Sequence, residues 1–73
     1  MPSSVDILRQ LGGKVRRIRQ ERAWSQEELA HRSGLDRTYV SGIERGRRNP
    51  TVLTLEQIAL ALDVPVASLL MDD

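Results

Sequence analysis

Apolar residues recur along this chain at helical spacing. Leu8, Leu11, Val15 and Ile18 stand three or four residues apart, the stripe that 3.6 residues per turn gathers on one face. They predict a first helix over about residues 6–22, whose other faces carry Lys14, Arg16, Arg17, Arg19 and Arg22. Gly12 and Gly13 interrupt it, each costing about 1 kcal/mol relative to alanine, and leave its start open. In "SQEE", Ser25 suits an N-cap, and Glu28 stands where it can reach back to the Ser25 amide as a capping box. A second helix over 26–33 follows, with Leu29 and Ala30 as its apolar edge and Gly34 as a left-handed C-cap. Asp36 caps a third helix over 37–45, and Leu35 just before it can pack on Val40 as a hydrophobic staple. Two short helices joined by a turn of about three or four residues form a helix-turn-helix arrangement.

"RRNPT" breaks the pattern, because Pro50 disfavours a helical Asn49. Thr51 or Thr54 caps a fourth helix over 52–62, in which Leu55, Ile58, Ala59 and Leu62 share a face. Thr54 with Gln57 offers a further capping box. Pro65 suits the first turn of a fifth helix over 66–71, with Val66, Leu69 and Leu70 apolar and Met71 extending that surface. No repeat, linker or low-complexity tract is visible. The pattern predicts an all-α fold of five helices in a single domain, 1–73.

Composition sharpens this picture in three ways. A chain of 73 residues buries only about 60% of its unfolded surface and is marginal on its own. It has no cysteine and one histidine, His31, so neither disulfides nor a metal cluster can staple it, which leaves helix packing or dimerisation. No apolar run approaches the roughly 20 residues of a membrane-spanning helix, and "MPSSVD" lacks the regions of a signal peptide. The expectation is a cytoplasmic protein without a membrane partner. Charge is divided unevenly: residues 1–50 hold all 11 basic residues against 6 acids, and residues 51–73 hold 4 acids and no base. Such a split fits a basic surface for a polyanion, or equally a solvated charged surface. His31 stands beside Arg32 with no nucleophile partner, and no phosphate loop or metal spacing occurs. Neither an enzyme nor a cofactor is expected.

The third helix carries the most information. At 100° per residue, Tyr39, Val40 and Ile43 point one way and Arg37, Thr38, Ser41, Gly42 and Arg45 the other. The first group is core, with Tyr39 at its margin. The second has few bulky side chains, so another surface can come close to the helix backbone. The DNA major groove, about 12 Å wide, admits one such helix. Arg37 in the first turn matches guanine O6 and N7, and Thr38 and Ser41 can bond a base or phosphate. Gln26 opens the second helix, where free amides and the dipole favour a phosphate. Arg45, Arg47, Arg48 and Asn49 form a loop able to track the backbone. Glu44 at the edge of the core face and Arg19 beside Ile18 are placed for a structural ion pair. The competing reading of the same face is a short solvated helix.

"WSQEELAHRSGLDRTYVSGIERGRRNPT", with Gln26, Leu29, Ala30, Gly34, Val40, Ile43, Glu44, Gly46 and Pro50 in register, resembles the lambda-repressor-like, or xenobiotic-response-element (XRE), helix-turn-helix family from about Leu8 to Leu70. The resemblance implies that Ala30 and Gly34 let two helices cross closely, that Arg19 pairs with Glu44 and that Gln26 meets phosphate. "LDRTYVSGIERGRRN" is further similar to the controller proteins of restriction-modification systems, small dimeric regulators that bind operators near their own promoters. That similarity implies Arg37, Thr38 and Tyr39 at base edges or the adjacent backbone, Ser41 nearby, and Arg45, Arg48 and Asn49 at phosphates. The expected protein is a sequence-specific DNA-binding transcriptional regulator, bacterial or phage-encoded and nucleoid-associated. It would bind a palindromic double-stranded operator as an autoregulating homodimer with no small-molecule effector. Leu69, Leu70 and Met71 are the expected dimer contacts, with internal packing the alternative for the two leucines. Two rival functions are an antitoxin-type autorepressor and a helical interaction module that docks an acidic protein through residues 37–48.

Overall fold

A computed structural model of the chain describes residues 3–71. Five helices follow one another in it: α1 Ser4–Glu21, α2 Gln26–Ser33, α3 Arg37–Glu44, α4 Val52–Leu62 and α5 Val66–Leu70. No strand occurs among the described residues. α1 begins earlier than its apolar stripe because Ser3 caps it. The Ser3 Oγ accepts the Asp6 N–H at 3.2 Å and the Asp6 carboxylate accepts the Ser3 N–H at 3.3 Å, a reciprocal capping box. Ser25 and Asp36 cap α2 and α3 through the amides of Glu28 and Thr38. Glu28 does not close a box of its own, because its carboxylate instead accepts Arg32 Nε at 2.8 Å, one turn on. Thr51, and not Thr54, caps α4. Thr54 lies inside the helix, and Gln57 donates across to the Ser33 carbonyl at 3.4 Å.

Four of the helices end in the same way. Ala23, Gly34, Gly46 and Asp63 adopt left-handed φ values between 58° and 72°. The next residue then donates its N–H five positions back: Trp24 to Arg19, Leu35 to Ala30, Arg47 to Gly42 and Val64 to Ala59. This is the Schellman closure, whose following residue tends to be apolar and to touch the helix it ends. Trp24, Leu35 and Val64 pack against the core in that position. Gly34 therefore serves the turn between α2 and α3, and not a close crossing as the resemblance implied: a Cβ there would meet only the Gln57 side chain, at 4.0 Å. The tight crossing belongs to Gly12. A Cβ at Gly12 would run into the Ile43 carbonyl oxygen and lie 2.7 Å from that of Glu44. A glycine that weakens α1 in isolation is what allows α3 to lie against it.

Leu11, Val15 and Ile18 from α1, Leu29 and Ala30 from α2, Val40 and Ile43 from α3, Leu55, Ile58, Ala59 and Leu62 from α4 and Leu69 from α5 form one apolar cluster. α3 packs between α1 and α2, while α4 bridges α2 and α5. Leu69 is 1% exposed and so is not a dimer contact: the short α5 is anchored to the rest of the domain through it. Leu70 and Met71 are exposed, together with Val52, Leu53 and Leu60 of α4.

Candidate nucleic-acid interface

The third helix is held at its C-terminal end by a carboxylate. Glu44 Oε2 accepts Arg19 Nε at 2.7 Å, and Oε1 accepts the other guanidinium arm at 3.0 Å and Gln26 Nε2 at 3.2 Å. The remaining arm of Arg19 donates to the Trp24 carbonyl at 2.8 Å. Side-chain exposure is 11% for Arg19 and 2% for Glu44, so the pair lies largely out of water. The hydrogen bond to Glu44 raises the Arg19 pKa above its ordinary value, against the opposing effect of burial. One carboxylate thereby ties the end of α3 to both α1 and the start of α2. Gln26 is expected at a phosphate, yet its side chain is half-buried and turned to Glu44. An amide NH2 carries two donors, so one N–H is left for a second acceptor.

The opposite face of α3 is open. Arg37 and Thr38 are exposed, Ser41 is partly so, and Arg45, Arg47, Arg48 and Asn49 are exposed beyond the helix. Among the described residues the ion pairs fall elsewhere, at Arg17 with Glu21, Arg19 with Glu44 and Arg32 with Glu28. Arg37, Arg45, Arg47 and Arg48 along this edge form no ion pair among the described residues.

Tyr39 lies between the core and Arg48. It is half-buried against the core, as the helical wheel requires, and its ring also carries the Arg48 guanidinium at 5.5 Å from the centroid, within cation–π range. Arg48 does not extend away with the loop. Its aliphatic stem lies across Gly42, where a Cβ would stand 2.7 Å from the Arg48 Cγ and 3.3 Å from its Nε. The structure thus brings Arg48 back over Gly42 and Tyr39 of α3, while Arg45, Arg47 and Asn49 are exposed in the turn that follows the helix. One basic residue was missed in the sequence: Arg9 of α1 borders the turn, with its Cα 3.2 Å from where a Gly46 Cβ would be. Nothing in local spacing signals it, because Arg9 and Gly46 meet only through the α1–α3 crossing.

Residues 15–69 match the family model described as Helix-turn-helix. The chain belongs to the helix-turn-helix family. It is 47% identical over 60 residues to the HTH-type transcriptional regulator y4dJ of Sinorhizobium fredii, covering 82% of this chain and 78% of that protein. Among solved structures, the restriction-modification controller protein C.AhdI from Aeromonas hydrophila superposes with a TM-score of 0.83 at 44% identity, covering 85% of this chain and 94% of that one. The controller protein C.Esp1396I, solved as a tetramer with its natural 35 base-pair operator, gives a TM-score of 0.80 at 43% identity over 86% of this chain and 83% of its own. No helix of this helix-turn-helix protein, among the described residues, is long and apolar enough to cross a membrane.

Proposed function

We propose that this helix-turn-helix protein is a sequence-specific DNA-binding transcriptional regulator of the restriction-modification controller type, acting as a homodimer on a palindromic operator. One observation carries the reading: α3 is fixed from behind by Glu44 and presents Arg37, Thr38 and Ser41 outward, beside guanidinium groups that form no ion pair among the described residues. A helix presented in this way fits the major groove. In this reading Arg37 would meet a guanine edge, Thr38 and Ser41 neighbouring bases or phosphates, and Tyr39 the margin of the site. Arg45, Arg47 and Asn49 line the loop that would follow the phosphate backbone, with the second N–H of Gln26 near the start of α2. Arg48 shares the α3 face with Tyr39.

A single helix reads too few base pairs for genomic specificity, and a two-fold dimer reads two half-sites about one DNA turn apart. Leu53 and Leu60 of α4, with Leu70 and Met71 at the end of the fold, supply an exposed apolar surface for that pairing. Dimerisation driven by concentration then gives autoregulation its signal without a small-molecule effector.

The test is selection of bound sequences from a random DNA library. A palindromic site should emerge, and Arg37→Ala should relax preference at one position in each half-site, at a cost of about 1–3 kcal/mol. Recovery of no consensus, or of an asymmetric one, would overturn the proposal. Acidic protein competing as well as unlabelled DNA would point to an interaction module instead.

A further inference from the structure

We propose that Gly42 is a positioning residue for recognition: its missing side chain is the seat in which Arg48 lies across α3, and this seat sets where the Arg48 guanidinium is presented. The inference rests on the DNA-binding reading and deepens it at one residue.

Three observations support the seat. Arg48 follows α3 by four residues and belongs by sequence to a loop, yet its Cγ, Cδ and Nε all come within 4 Å of the position a Gly42 Cβ would take. Tyr39, one helical turn before Gly42, receives the guanidinium over its ring. The turn that brings Arg48 back is closed by the Arg47 N–H donating to the Gly42 carbonyl at 2.8 Å. The small residue therefore does not leave an empty channel along α3. Its volume is taken by the stem of an arginine, and the guanidinium is held over the Tyr39 ring, at the margin of the face that carries Thr38, Ser41 and Gly42. An arginine whose stem is packed and whose guanidinium is stacked loses less rotamer freedom on binding than one waving in water.

Gly42→Ala separates this role from a structural one. Alanine is the better helix former by about 1 kcal/mol, while the exposed Arg48 side chain has to rotate from Cγ outward and gives up its packing; the two effects oppose each other, so the thermal midpoint should stay close to that of the wild type. In the DNA-free protein, the Arg48 side-chain resonances should be shifted by the Tyr39 ring current. In Gly42→Ala they should move to the values seen in Tyr39→Leu. On the selected operator Gly42→Ala should bind about tenfold more weakly, the loss of roughly one good base contact, and in an Arg48→Ala background the same substitution should have no further effect. Unchanged Arg48 resonances in Gly42→Ala would overturn the seat, whether or not DNA is bound. A full additional loss in the Arg48→Ala background would overturn it as well, and would make Gly42 simple clearance for DNA. Failure of the wild-type protein to select any DNA would count against the proposed function, while the resonances would still decide the seat.

Discussion

Glu44 shows how much one residue organises here, since its carboxylate accepts three hydrogen bonds from side chains on two other helices. Glu44→Ala leaves the Arg19 guanidinium largely buried with only the Trp24 carbonyl, and should cost about 3–5 kcal/mol, read as a shift in the urea midpoint at unchanged slope. Alkali should not weaken the pair within the working range of the protein. The Arg19 pKa is raised, so its contribution is complete below the ordinary guanidinium range and is lost only as pH climbs through the raised value. The pair was legible in the sequence because a helical wheel places both residues at the edges of core faces. The bond from Gln26 was not, since it depends on how α2 meets α3. Ala23 is the opposite case, a non-glycine residue in the left-handed conformation at φ 58°. That conformation costs an L-residue about 1–2 kcal/mol, and glycine recovers it less the entropy it adds to the unfolded chain. Ala23→Gly should therefore raise stability by up to about 1 kcal/mol in thermal or chemical unfolding.

α2 and α3 are each eight residues long, below the length at which a helix holds by itself in water. Their boundaries were nonetheless readable, because Ser25, Asp36 and Gly34 act on the backbone next to them. Capping and left-handed turns are local chemistry, and local chemistry survives in a string of letters. The start of α1, left open by the apolar pattern, falls at Ser4 for a related reason: the stripe begins at Leu8, while the Ser3 and Asp6 box that starts the helix carries no apolar signal. Gly12 marks the limit of such reasoning. Within α1 it looks like a defect, and only the crossing with α3 shows that a side chain there has no room. Gly12→Ala should gain helix propensity yet destabilise the protein by about 3 kcal/mol, the upper end of overpacking costs, because the obstructing atoms are backbone carbonyls that cannot rotate away. An unfolding midpoint at or above the wild-type value would contradict that close approach.

For the molecule as a whole, the exposed leucines of α4 carry the prediction. Leu60 is 73% exposed, so Leu60→Glu should leave the monomer fold intact by circular dichroism. It should also abolish the concentration-dependent increase in mass seen in sedimentation, and weaken binding to a full palindrome far more than to a half-site. A dimer persisting in that variant would remove α4 from the interface. The amino-acid sequence by itself determined the five helices, most of their caps, the core residues and the division of α3 into a buried and a polar face, because each follows from periodicity or from chemistry within a few residues. Tertiary structure alone decided that Leu69 is core and Leu60 is surface, that Gly12 is where two helices meet, that Gln26 turns to Glu44, and that Arg48 lies over Gly42 and Tyr39. Each of these depends on where one helix stands relative to another, a relation set by the packing of the whole chain and absent from any local stretch of it.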